Sequence, residues 1–154
     1  MQLINDINHL TFITADMDRL ISFYERVFDA EIVFDQEEGN GAVRHALIKL
    51  GPNSLLHPFQ IPGINPPGEQ PMFKRGRLDH FALNATSEEA FREMRRRLMA
   101  EGATTGEVTD MGVVWILIFS DPDQGEHEIA WEVPGKTYND VGLLRENWTT
   151  VEMD

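Results

Sequence analysis

The chain contains no cysteine. That absence excludes disulfides, thiolate nucleophiles and every Cys-containing zinc or iron–sulfur site, so any bound metal must be held by His, Asp or Glu. Basic residues are scarce. Thirteen Lys and Arg stand against 26 Asp and Glu, a formal charge of -13 that repels nucleic acid and anionic lipid. The longest basic cluster is Arg95, Arg96 and Arg97. No apolar run approaches the roughly twenty residues that a membrane-spanning helix needs. Residues 1–6 show no basic stretch leading into an apolar one, so a cytoplasmic location is expected. What is present is a globular composition, 42% hydrophobic and 25% charged over 154 residues. That length has room for one domain or two small repeated halves.

Residues 7–14 are apolar and β-branched, with the length of a strand, and Asp16 then caps a helix running to about Phe28. Leu20, Phe23, Tyr24, Val27 and Phe28 form its apolar stripe. Strand-like runs follow near 31–35, 42–50 and 54–60, punctuated by Gly39, Gly41 and Gly51-Pro52-Asn53. Residues 61–77 carry Pro62, Pro66, Pro67 and Pro71 with three glycines, which suits a linker or a lid and cannot continue a helix or a central strand. The same order then begins again. A strand spans 78–84, Ser87 caps a helix from Glu88 to about Ala100, and strands lie near 104–108, 113–119 and 127–133. A shift of 71 positions places His9 on His80, Leu20 on Phe91, Phe23 on Met94, Val27 on Leu98 and Phe28 on Met99.

His9 and His80 each open an apolar strand, where a histidine is either a hydrogen-bonded structural residue or a ligand. Their equivalence favours the second role, because a twofold packing of the halves brings both imidazoles to one cleft. Residues 120–125 are a turn by composition, and the strand beyond alternates Glu128, Ala130 and Glu132 with Ile129, Trp131 and Val133. Alternation alone fits a solvated carboxylate face. The 71-residue shift nevertheless maps Glu128 onto His57, so two pairs of metal-ligand residue types occupy matched positions. Two imidazoles and one carboxylate with open positions suit Fe(II), and the same set accepts Mn(II), Ni(II) or Zn(II). A substrate with two neighbouring oxygens then binds the metal directly, and the Lewis acid lowers a hydroxyl pKa or stabilises an enolate.

Two β-α-β-β-β modules, His9, His80, and Asp121-Pro122-Asp123 followed by Glu128 resemble the vicinal oxygen chelate superfamily, the glyoxalase, bleomycin-resistance and extradiol dioxygenase group. The resemblance spans residues 7–133. In that family the turn reads Asp-Pro-Asp-Gly-Asn and the glutamate ligand follows seven positions after the first Asp; here Gln124-Gly125 replaces Gly-Asn and the spacing is kept. The run 109–114 also resembles dioxygenase-like members. The resemblance implies an α+β fold of paired βαβββ modules, forming a cupped, partly open mixed sheet with helices on the outer face. In one domain, module one then covers 5–60, a linker 61–77, module two 78–133 and a tail 134–154. It also implies His9, His80 and Glu128 as metal ligands, with His57 where the glyoxalase I branch places a carboxylate.

An imidazole at that position counts against lactoylglutathione lyase chemistry and leaves His57 as a fourth ligand or an acid/base, unless Pro58 turns it away. Extradiol dioxygenases carry a Tyr on the strand before the glutamate; residues 115–119 have none, and His45 is either a surface strand histidine or the alternative acid/base. The fosfomycin-resistance thiol transferases share His9-Leu10-Thr11 and the Asp-Pro-Asp turn, but residues 109–112 do not match their potassium loop. The reading is therefore a divalent-metal enzyme acting on a small substrate with adjacent oxygens, by extradiol-type cleavage or a related lyase or isomerase step, as a homodimer. The alternative is a metal-free, antibiotic-sequestering dimer with Trp115, Trp131 and Phe59 as stacking surface for a cationic drug. The tail, with Leu143, Leu144 and Trp148, would cap the cleft, pack on a partner chain or stay mobile.

Overall fold

A computed structural model describes residues 1, 3–4, 6–70, 73–76, 78–136 and 148–153. The chain divides into two compact units, residues 1–69 and 70–154. Each is an open mixed sheet carrying one helix, the α+β architecture expected.

The first unit runs β1 (His9–Ile13), α1 (Met17–Phe28), β2 (Glu31–Glu38), β3 (Val43–Lys49) and β4 (Leu55–Gln60), in sheet order β1-β4-β3-β2. The β1–β4 pair is parallel and the others antiparallel. Asp16 starts the helix by accepting the Arg19 N–H at 3.0 Å, and Asp29 ends it in a left-handed conformation. The buried stripe Met17, Leu20, Phe23, Tyr24 and Val27 meets Ala46, Ile48 and Leu56, which point inward from β3 and β4. The expected strand 31–35 is longer in fact, because a bulge between Ile32 and Phe34 lets pairing continue to Glu38.

The second unit runs β5 (Ala82–Asn84), α2 (Glu88–Ala100), β6 (Val108–Asp110), β7 (Val114–Ser120), β8 (Glu126–Glu132) and β9 (Thr149–Thr150), in order β5-β8-β7-β6-β9. Ser87 caps α2 by accepting the Ala90 N–H at 3.1 Å, at the position matching Asp16. The shift of 71 holds in the core, since Leu20 and Phe91, and Val27 and Leu98, are all buried. It fails at the last pair: Met99 is 44% exposed.

Two expected strands are corrected. The run 104–108 is a loop as far as Glu107, because Gly106 takes a φ of +81°, its N–H binds Thr104 Oγ1 and its carbonyl accepts Arg95 Nε. A side chain there would also meet the Met99 sulfur at 2.6 Å. The strand expected from residue 78 begins only at Ala82, so His80 precedes it rather than opening it. Asp79 is occupied instead by bonds to the Phe73 N–H and to Arg75. Of the tail, residues 149–150 pair with β6, while Leu143 and Leu144 lie outside the described residues. Among the described residues no helix is long and apolar enough to cross a membrane.

Candidate functional site

The ladders of the two sheets share one register. Thr11 lies opposite His57 in the first, and Ala82 opposite Glu128 in the second. Both members of each pair are 71 positions apart across the halves. His9 and His80 stand two residues earlier on the same side, so a diagonal pair, His9 with His57, recurs as His80 with Glu128. The imidazole centroids of His9 and His57 are 5.6 Å apart, edge to face. His80 Nε2 lies 3.6 Å from Glu128 Oε1.

Both leading histidines are oriented by the residue before them. His9 Nδ1 is 2.8 Å from Asn8 Oδ1, and His80 Nδ1 is 2.9 Å from Asp79 Oδ2. An oxygen acceptor requires the proton on Nδ1, which leaves the Nε2 lone pair free. The hydrogen bond from His80, with those from Phe73 N–H and the charge of Arg75, holds the Asp79 carboxyl below the ordinary range. Burial pushes the Glu128 carboxyl up, and His80 opposes that shift.

His57 is set differently. Its Nε2 lies 3.0 Å from His45 Nδ1, and His45 Nε2 lies 3.3 Å from Glu38 Oε1 at the surface. Glu38 takes the proton of His45 Nε2; His45 Nδ1 is then an acceptor, and His57 carries its proton on Nε2. The free lone pair of His57 is therefore on Nδ1. Phe59 and Phe34 flank the pair, with centroids 4.6 and 5.7 Å from His57 and 5.1 and 5.2 Å from His45. Burial holds His57 below the usual imidazole range, with His45 and His9 adding to the effect, so it is neutral at neutral pH.

The turn before β8 sets the phase that aims Glu128. Asp121 is buried and accepts the N–H groups of Asp123 and Gly125 at 2.9 and 2.8 Å, and it meets His127 Nε2 at 3.3 Å. His127 stacks on Phe81 at 3.9 Å, on the face opposite Glu128. That opposite face also carries Trp131 and its cross-strand partner Trp115, which contacts Phe91 and Arg92 of α2. The two tryptophans therefore belong to the helix-packing side of the sheet. Phe59 alone of the three expected stacking residues lies among the histidines.

The five residues singled out in the sequence fall into two groups. His9, His45 and His57 gather in the first unit, and His80 and Glu128 in the second. Among the described residues no group of three or more His, Asp or Glu is arranged to hold a metal. The second pair nevertheless suits a shared ion, since two donors bonded to one metal at about 2.0–2.2 Å stand about 3–3.5 Å apart. Asn8, Glu38, Asp79 and Arg75 were not anticipated. The first and third were discoverable, because Asn8 and Asp79 obey the same 71-residue shift as the histidines they orient.

A family model described as the Glyoxalase/Bleomycin resistance protein/Dioxygenase superfamily matches residues 6–130. Among solved structures, the chain is similar to a glyoxylase/bleomycin resistance protein/dioxygenase domain from Frankia sp. EAN1pec, at a TM-score of 0.71 and 20% identity over 90% of this chain and 99% of that one. It is also similar to the fosfomycin resistance protein FosX from Listeria monocytogenes complexed with Mn(II) and sulfate, at 0.61 and 18% over 86% and 96%. A glyoxalase I mutant from Zea mays aligns at 0.61 and 15% over 80% of this chain and 44% of that one. No curated protein sequence matches the chain.

Proposed function

This chain belongs to the Glyoxalase/Bleomycin resistance protein/Dioxygenase superfamily, and from that premise we propose a divalent-metal-dependent enzyme acting on a small substrate that offers two adjacent oxygens. The observation that carries the reading is the recurrence of one diagonal pair, His9 with His57 and His80 with Glu128, at the same ladder register in both sheets. His9, His80 and Glu128 would hold the metal, the two histidines through Nε2. Fe(II) is the proposed ion, with Mn(II), Ni(II) and Zn(II) as the alternatives the donors accept. When bound, it supplies Lewis acidity to the substrate oxygens.

His57 acts as the acid/base. Its Nδ1 accepts a proton from a substrate hydroxyl or carbon; its Nε2 proton passes to His45 Nδ1, and the His45 Nε2 proton to Glu38. The chain of hydrogen bonds leads from the half-buried imidazole to a surface carboxylate, so His57 stays neutral with the proton held on Nδ1. It regains its free Nδ1 when it donates that proton to the product as the acid and the Glu38 proton returns through His45. This arrangement serves extradiol-type ring cleavage, which needs a proton taken from a catechol hydroxyl, and equally a lyase or isomerase step.

The deciding experiment measures metal in protein purified without chelator, then titrates Fe(II), Mn(II), Ni(II) and Zn(II) into wild type, His80→Ala and Glu128→Gln. Stoichiometric binding by wild type and at least tenfold weaker binding by both variants is expected. Equal metal content in all three would overturn the ligand assignment. Wild type without affinity for any of the four ions, but with micromolar binding of a cationic glycopeptide, would replace the proposal with sequestration. Oxygen uptake by the Fe(II) form with a panel of catechols separates ring cleavage from the lyase and isomerase steps.

A further inference from the structure

The two leading histidines are oriented alike but not by the same chemistry. Asn8 is neutral, whereas its counterpart Asp79 is a carboxylate. A carboxylate on an imidazole N–H fixes the ring more firmly and makes its other nitrogen a better ligand. It also needs a cation when half-buried. Arg75 supplies that cation, with a side chain only 9% exposed. Its Nε donates to the Gln70 carbonyl at 2.7 Å, its Nη1 lies 3.4 Å from Asp79 Oδ2, and its Nη2 pairs with Glu126. Glu126 sits two residues before Glu128, on the same face of β8. One guanidinium thus ties the segment carrying His80 to the strand carrying Glu128. The position 71 residues before Arg75 is Ile4, so the first half has no equivalent.

The geometry assigns Arg75 as a positioning residue: through Asp79 it locks His80 with the proton on Nδ1, and through Glu126 it sets the start of β8, so that His80 Nε2 and Glu128 Oε1 face each other as one pair. Arg suits the task because its planar fork reaches two carboxylates and a carbonyl at once. Lysine would keep the charge and lose the fork. The use of this lock for metal rests on the function proposed above; the lock itself does not.

The test uses the full chain as wild type, Arg75→Gln, Arg75→Lys and Asp79→Asn. Long-range 1H–15N NMR of the metal-free proteins reads the His80 tautomer, and Mn(II) titration followed by EPR reads affinity. Wild-type His80 is expected in the Nδ1–H form. Arg75→Gln and Asp79→Asn should give a mixture of tautomers and bind Mn(II) about 10–100-fold more weakly, with Arg75→Lys between them and wild type. A wild-type tautomer in Arg75→Gln, with Mn(II) affinity within twofold, overturns the assignment. If Arg75→Gln does not fold, a wild-type tautomer and affinity in both Arg75→Lys and Asp79→Asn overturn it equally. If wild type takes no Mn(II), the proposed function is what loses support, and the tautomer shift still decides the role of Arg75.

Discussion

His45 Nδ1 lies 3.0 Å from His57 Nε2, and so occupies on His57 the nitrogen that His9 and His80 leave free. These three histidines, His9 and His57 on adjacent strands and His80 just ahead of β5, therefore divide into two orientations. Two present Nε2; the third presents Nδ1 and has its far side wired to another imidazole. That contrast is the reason for giving His57 a proton-transfer role.

His57 should titrate below the ordinary imidazole value of about 6.5. Burial is the largest cause and His45 the next, so His45→Gln should raise the midpoint part of the way back. The lowered value also couples to folding. Because the neutral form is favoured in the fold, the stability His57 contributes is fully present above about pH 6.5 and is lost as pH falls through the lowered folded value. NMR titration of the His57 ring protons checks this, and a midpoint at or above 6.5 in wild type would contradict it.

Replacing Asn8 by Ala should free the His9 ring to take either tautomer and weaken metal binding by about tenfold. Asn8→Asp gives module one the same acceptor as module two and should tighten binding. Isothermal titration with Mn(II) or Zn(II) reads both, and the ordering Asp tighter than Asn tighter than Ala is the expected result. Equal affinities would mean that the Asn8 contact does not orient a ligand.

Asp121→Ala removes an acceptor from the N–H groups of Asp123 and Gly125 and from His127. Leaving such half-buried donors unpaired should cost about 2–4 kcal/mol. Urea unfolding is the measurement. A loss below about 1 kcal/mol would show that water replaces the carboxylate there.

Gln124 adopts a φ of +68° at the turn position where the family pattern has glycine. Gln124→Gly should therefore stabilise the protein by about 0.5–1 kcal/mol, the left-handed cost less the extra chain entropy of glycine. Thermal unfolding that shows a lower Tm for the glycine variant would refute the argument.

Much of the fold was legible because periodicity was reinforced by repetition. Asp16 and Ser87, Leu20 and Phe91, and Val27 and Leu98 perform the same local tasks in both halves, so each helix supported the other. The strands were less legible where side chains competed for the backbone. Asp79 bonds to loop groups just where the expected strand 78–84 called for pairing, and Gly106 turns left-handed inside a β-branched stretch. For the candidate site, residue types and spacing singled out His9, His57, His80 and Glu128. They were silent on Glu38 and Arg75, which reach their partners from a bulged strand and a Pro/Gly-rich segment with no periodic signal.

Thr149 and Thr150 add only two rungs, yet they lie along the outer side of β6. An uncovered strand edge is a template on which other chains can pair and aggregate. The second sheet covers its β6 edge with its own C-terminal residues, while the first ends in β2, whose last turnward residues are Asp35, Gln36, Glu37 and Glu38. One half thus guards its margin with backbone and the other with charge. Loss of residues 149–154 should raise the chain's tendency to associate above that of the full chain at the same concentration, as read by light scattering.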